Sequence, residues 1–374
     1  MEQLNDLGNI NEQTDNEDVV SKFSKEGYSL IKKGKMDEAK EKFEKLLELE
    51  PTNHYGLVGL GNIARKNNDI LLAISYYKKC LEHHKENRYA IIGLADSLRE
   101  IDKYEEAINL WEYFLTIYDG DVTVVSRLAD AYRRIGNFDE AKKFYNKVFE
   151  LESDNSYALI GMGYLYFDQK KYDEAFFYWN RMLEQDPNNV KILTTIGNCQ
   201  RKKKTFKEGI NYFKRALDIM PNNFYALYGL ADCYRGLKEY ESSLDIWNKL
   251  MELSPNNRVI LTRYADALKN LGNLKEAIKF YNEALKIGYD YYAVVGLLAS
   301  YKENGNYNEA IKIGESYQYS TSNKEDNGSR FIYELALCYK YVENYENALK
   351  LLKGFIDSGY VSSVIKELYE ELMN

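Results

Sequence analysis

Between Phe224 and Asn257 apolar residues fall at helical spacing twice, first at Leu227, Leu230 and Tyr234 and then at Leu244, Trp247, Leu250 and Leu253. A polar break from Gly236 to Glu239 separates the two runs. Two amphipathic helices joined by a tight turn are predicted. Pro255 closes the second helix, and Asn257 offers a side-chain oxygen to the free N–H groups of whatever helix follows. The pattern restarts near Val20, His54, Arg88, Val122, Ser156, Val190, Arg258, Tyr291 and Ser329, which makes ten copies between residues 20 and 360. Starts are 34 residues apart up to the eighth copy, which has 33, and the ninth, which has 38.

Two places in each copy are held small. The eighth residue is Gly or Ala from Gly27 to Ala336, with Leu298 the one break, and the twentieth is Ala, Gly or Ser from Ala39 to Ala348. Small residues there let paired helices approach, and a large side chain would cost about 1–3 kcal/mol by overpacking. Asn53, Asn87, Asp121, Asn155, Asn189, Asn223, Asn257 and Asp290 stand where helix caps are needed. This combination of an aliphatic residue, Leu-Gly/Ala, Tyr, Ala, an aromatic and Pro at a 34-residue period resembles the tetratricopeptide repeat. It departs from that pattern where the early tryptophan is aliphatic, as at Leu57, Ile91, Leu159 and Leu227. The resemblance implies an all-α, right-handed superhelical solenoid of about ten helix-turn-helix repeats, with a capping helix over 361–374. Residues 1–19 read as an acidic flexible tail, and 318–328 as a polar insertion.

A second period runs through the copies. In the second, third, fifth, seventh and ninth, a tyrosine at the second residue is followed four later by glycine (Tyr55/Gly59, Tyr89/Gly93, Tyr157/Gly161, Tyr225/Gly229, Tyr292/Gly296). The others carry pairs such as Thr123/Arg127, Lys191/Thr195 and Val259/Arg263, and Trp111, Trp179 and Trp247 all belong to the tyrosine-glycine type. Glycine inside a helix costs about 1 kcal/mol against alanine, so something must offset it. Either each glycine clears room for a bulky neighbour, such as Arg127 lying over Tyr89 or Tyr157, or glycine floors and tyrosine walls form recesses for a partner. On the second reading, Gly161→Arg and Gly229→Arg would abolish binding and leave the fold intact. The three tryptophans are expected in the core.

Charge follows the same helices: Asp96/Arg99, Asp130/Arg133, Asp232/Arg235 and Asp266/Lys269 lie three apart, and Asn62/Arg65 and Asn198/Arg201 replace the acid with an amide. An i,i+3 pair is worth only about 0.2–0.5 kcal/mol, so the repetition points either to ion pairs between copies or to a ladder that grips a partner. By resemblance the expected partner-binding concave face comprises Tyr89, Gly93, Asp96, Arg99, Arg127, Asp130, Arg133, Tyr157, Gly161, Asn198, Arg201, Tyr225, Gly229, Asp232, Arg235, Arg263 and Asp266. The family's carboxylate clamp for chaperone C-termini is not expected, because no copy has lysine at its fifth residue.

Composition narrows the chemistry. The formal net charge is -8 and the sequence pI about 5.3, so nucleic acid is not an expected partner. Six of those charges lie in the first nineteen residues, which leaves -2 for the rest. Arg201, Lys202, Lys203, Lys204 and Lys207 form one basic cluster, read as a solvated turn. The absence of a leader or an apolar run of about 18 residues predicts a cytoplasmic protein without membrane spans. Cys80, Cys199, Cys233 and Cys338 read as free thiols. Gly59-x-Gly61-x-x-Ala64 imitates a dinucleotide fingerprint without the strand it needs. His54, His83 and His84 with Cys80 make a poor metal site, since adjacent histidines point to different helix faces. No catalytic, metal or cofactor residues are expected. The expected function is a non-catalytic adaptor that binds a protein or peptide; the alternative is an architectural subunit that acts by self-association or outer-face contacts.

Overall fold

The computed structural model describes residues 19–317, 328–360 and 362–373, so most of the expected acidic tail and polar insertion, and Val361 and Asn374 of the capping segment, lie outside the described residues. The described residues are helices and short turns, with no strand among them. They fall into two compact units, the first ending at Met182 and the second starting at Leu183. In the first, helices α1 (19–32), α3 (His54–Lys66), α5 (Arg88–Glu100), α7 (Val122–Arg134) and α9 (Ser156–Asp168) alternate with α2 (Met36–Leu49), α4 (Ile70–His83), α6 (Tyr104–Ile117), α8 (Phe138–Leu151) and α10 (Tyr172–Gln185), the last of which runs on past Met182. In the second, α11 (Val190–Lys202), α13 (Phe224–Gly236), α15 (Arg258–Asn270), α17 (Tyr291–Glu303) and α19 (Ser329–Tyr341) alternate with α12 (Phe206–Ile219), α14 (Tyr240–Leu253), α16 (Leu274–Ile287), α18 (Tyr307–Tyr317) and α20 (Tyr345–Asp357). Helix α21 (Ser363–Met373) packs on α20 and α19. Odd-numbered helices up to α19 are called first helices below, and even-numbered ones second helices.

Each of the eight closing Asn or Asp residues accepts a hydrogen bond from a backbone N–H in the first turn of the helix it precedes. Such a cap contributes about 1 kcal/mol. The turn inside each copy has a feature that its residue types conceal: the fifteenth residue is left-handed throughout. Gly34, Gly136, Gly272 and Gly305 take this conformation without strain, but Asn68, Asp102, Lys170, Lys204, Lys238 and Glu343 take it too, with φ between 58° and 65°. The next N–H reaches back to the carbonyl five residues earlier, as in Asp69 to Ala64 and Glu239 to Tyr234, which satisfies the last free carbonyls of the first helix. That geometry holds a side chain in the left-handed region even where it costs about 1–2 kcal/mol.

The core runs between first and second helices. Trp111, Trp179 and Trp247 are fully buried, as are the rings at the same place in other copies: Phe43, Tyr77, Phe213 and Tyr281. Gly163 lies against Trp179 and Gly197 against Phe213, which explains the small eighth residue. The ninth copy inverts the sizes. Leu298 is large where other copies are small, Gly314 replaces the aromatic ring, and Leu335 moves into the space a Cβ on Gly314 would need.

Candidate partner-binding face

Within each unit some first helices rest on one another: α3 on α5 and α7 on α9 in the first, α11 on α13, α15 on α17 and α17 on α19 in the second. The intervening pairs, α5 with α7 and α13 with α15, do not approach to the same extent. Glycine position separates these pairs except at α17 and α19, where Gly314 takes the place of the ring and α19 closes in with Glu334 at its sixth residue. A Cβ on Gly93 would sit 2.5 Å from Tyr77, on Gly161 2.3 Å from Tyr145, on Gly229 2.1 Å from Phe213 and on Gly296 2.3 Å from Tyr281, each ring coming from the preceding second helix. Glycine lets the helix settle onto the ring. Where the preceding second helix carries Trp111 or Trp247, the next first helix carries Arg127 or Arg263 and stands off.

The glycines are therefore packing residues. Gly93, Gly161 and Gly229 are buried beneath rings, and Arg127 is not the neighbour they make room for: its Nη1 lies 3.2 Å from Asp96 Oδ2. The expectation that arginine at Gly161 or Gly229 would leave the fold intact is overturned, because even a methyl group has no space there. The tyrosines four residues earlier stand in solvent, with Tyr89 65%, Tyr157 78% and Tyr225 72% exposed.

The charged ladder is mostly a set of clips between copies. Asp96, nearly buried, receives Arg65 Nη1 at 3.0 Å from one side and Arg127 from the other. Its expected partner Arg99 is not engaged, and Asp96 Oδ1 stays buried without a hydrogen bond. Arg133 donates to Asp130 at 2.7 Å and to Asp168 at 2.6 Å. Burial alone would lower the Arg133 pKa, but Asp130 and Asp168 outweigh it and raise it. Asp232 accepts Arg201 across copies and Arg235 Nη2 at 2.6 Å from its own helix. Burial would raise the Asp232 carboxyl; the two guanidiniums instead hold it below its ordinary 3.8. Asp266 takes Arg263 at 3.2 Å and the Tyr281 hydroxyl at 2.7 Å, so its bonds run to these two rather than to Lys269. Asn198 is half-buried on α11 beside Arg201.

In the second unit the first helices α13, α15, α17 and α19 enclose a recess of about 400 Å³, floored by Val295, Gly296 and Ala299 and walled by Arg235, Arg263, Asp266, Lys269, Tyr292, Glu303, Arg330 and Glu334. Arg235, Arg263 and Asp266 were expected on the partner-binding face by resemblance to the family. Tyr292, Glu303, Arg330 and Glu334 were not singled out for this face, although Tyr292/Gly296 obeys the alternation that pointed to Tyr225/Gly229. Cys80, Cys199, Cys233 and Cys338 are buried and in no disulfide; burial pushes the Cys80 thiol up to about 11 and those of Cys233 and Cys338 up to about 12. The rings of His54 and His84 lie 5.1 Å apart, and among the described residues no group of three metal-ligating side chains occurs. No described helix is long and apolar enough to cross a membrane.

Capped helical hairpins stacked through their first helices define an all-α solenoid repeat protein. Models of the tetratricopeptide repeat match residues 24–84, 200–252 and 260–287, and one described as anaphase-promoting complex, cyclosome, subunit 3 matches 134–216. The chain is a tetratricopeptide-repeat protein, and family and fold make it a scaffold for protein interaction. No curated protein matches it in sequence. Similar solved structures include Pseudomonas aeruginosa PilF (16% identity, 56% of this chain and 96% of that one, TM-score 0.47), yeast Tom70 (14%, 96% and 94%, 0.43) and the APC/C hetero-tetramer Cut9–Hcn1 (13%, 95% and 76%, 0.49).

Proposed function

We propose that the protein is a non-catalytic, cytoplasmic adaptor that holds a segment of another protein against its first-helix face. The observation that carries this reading is the set of tyrosines at the second residue of alternate copies: Tyr89, Tyr157 and Tyr225 are left in solvent by the packing around them. A tyrosine supplies large contact area with little entropy to lose, which is why the residue is enriched at interfaces. Asp96, Arg99, Arg127, Asp130, Arg133, Asn198, Arg201, Asp232, Arg235, Arg263 and Asp266 furnish polar contacts around them, and Gly93, Gly161 and Gly229 act from beneath by setting the spacing. The test is affinity purification with mass spectrometry, comparing the natural chain with one carrying Tyr89→Ser, Tyr157→Ser and Tyr225→Ser. Loss of a specific set of proteins, with unchanged circular dichroism, is expected. Recovery of the same set from both chains would reject the reading.

A second reading, self-association through the outer face, rests on α4. There Leu71 is 71% exposed and Leu72 is exposed beside it, at places where α6, α8 and α10 carry two acidic residues. Light scattering across a concentration series separates the two, since a monomer at all concentrations rules out the second.

A further inference from the structure

We infer that the recess between α13, α15, α17 and α19 takes an acidic segment of the partner, an inference that rests on the adaptor reading above and adds its chemistry. The second unit's recess combines both signs of charge, but they are not equally available. Asp266 is already neutralised by Arg263, and Glu334 by Lys302 Nζ at 2.7 Å. Arg235 shares Asp232 with Arg201, so two guanidiniums answer one carboxylate there. Lys269 and Arg330, by contrast, line the recess with no carboxylate partner among the described residues, and Glu303 is the one wall carboxylate whose charge no described ion pair cancels. Four cations and three carboxylates line the recess, a net charge of +1, in a chain whose formal net charge is -8.

Lysine and arginine side chains hold carboxylates by charge-assisted hydrogen bonds, and arginine can do so through two of them. The apolar floor and the Tyr292 ring, over which Arg263 lies at 5.5 Å, suit the aliphatic stem of a glutamate and the backbone that carries it. A polyanion with a charge on every unit fits less well than a peptide with spaced carboxylates, because Glu303 and the paired Asp266 and Glu334 interrupt the positive surface. The occupant is thus a peptide that carries glutamate or aspartate side chains, and neither a nucleic acid nor a basic peptide.

Fluorescence anisotropy with the full chain tests this, using a labelled ten-residue peptide that alternates Glu and Ala, its Gln and Lys counterparts, and a ten-nucleotide oligothymidine. The Glu peptide should bind at least tenfold more tightly than the other three, and its affinity should fall as salt rises. Lys269→Glu with Arg330→Glu should abolish the preference, the milder Lys269→Gln with Arg330→Gln should weaken it about tenfold, and Glu303→Gln should strengthen binding; circular dichroism melting confirms that each chain is folded. Equal binding of the Gln or Lys peptide, equal binding of the oligonucleotide, or undiminished affinity in the Lys269/Arg330 variants would overturn the inference. If tight binding appears only when the six acidic residues of 1–18 are changed to their amides, the recess belongs to the chain's own segment and the assignment to a partner falls. Tyrosine-dependent recovery of partners alongside failure of the Glu peptide would leave the adaptor reading standing and remove only its acidic chemistry.

Discussion

Two kinds of seam recur between the copies before the ninth, and they solve the same packing problem in opposite ways. Where a phenyl or phenol ring projects from the preceding second helix, as Phe213 does, the next first helix has Gly229 and closes onto the ring. Where an indole stands there instead, as Trp247 does, the next first helix carries Arg263 and keeps its distance. The close seam is cross-clipped by ions such as Arg201–Asp232. The wide seam relies on the buried indole and leaves the indole N–H of Trp247 without a hydrogen bond. Close approach onto the ring carries one seam and the buried indole the other, and ion pairs cross both, as Arg127–Asp96 does between α5 and α7.

Removing the indole strikes the wide seam hardest. Trp247→Ala should destabilise the protein by about 3–5 kcal/mol, read from urea unfolding, because the cavity opens in a fully buried cluster with Leu227, Ala231, Leu250 and Ile260. If the cost were below about 1 kcal/mol, the indole would not be what holds that seam.

Asp232→Asn attacks the ionic half of the close seam and should cost about 1.5–3 kcal/mol at neutral pH, the usual worth of hydrogen bonds to charged groups. The sign with pH follows from the carboxyl being held below its ordinary value: the stabilisation is fully present above about pH 4 and drains away as pH falls through the lower folded value. Unfolding midpoints for the natural chain and the Asp232→Asn variant should converge in acid. A difference that persisted once the carboxyl is protonated in both states would mean the clip acts by shape.

The steric half is probed by Gly229→Ala, expected to cost about 1–3 kcal/mol despite alanine's better helix propensity, since the new Cβ would meet a fully buried Phe213 that cannot yield. Combining it with Phe213→Leu should recover part of the loss, giving a coupling of about 0.5–3 kcal/mol between residues in contact. Additive effects would deny that glycine and ring are one device.

Lys238→Gly lies in a turn common to both seams and should stabilise by about 0.5–1 kcal/mol. Relief of the left-handed strain at φ 62° exceeds the extra entropy glycine loses on folding. A loss of stability would show that the Lys238 side chain makes a compensating contact.

Helix pairs, small residues at packed places, capping residues and core tryptophans were legible because each depends on local spacing, which repetition makes unmistakable. The alternation was legible too, but its meaning was not. Gly161 and Gly229 read equally well as floors of a recess or as clearances for a neighbour, and the residue that settles it comes from a different helix of the preceding copy. Arg99 and Lys269 show the same limit. Their spacing from Asp96 and Asp266 invites an intrahelical pair, yet Asp96 is taken by Arg65 and Arg127 from adjacent copies and Asp266 by Arg263 and Tyr281.

By itself the sequence determined that helical hairpins would form, where they would begin and which side of each would be buried, because periodicity, capping and side-chain size act within a few residues. Only the tertiary structure decided which cations are taken up by neighbouring carboxylates and which, like Lys269 and Arg330, are left facing an open recess. Pairing between copies depends on distances across seams between residues some thirty apart in the chain, as Arg65–Asp96 and Arg201–Asp232 are, and local spacing does not set those distances.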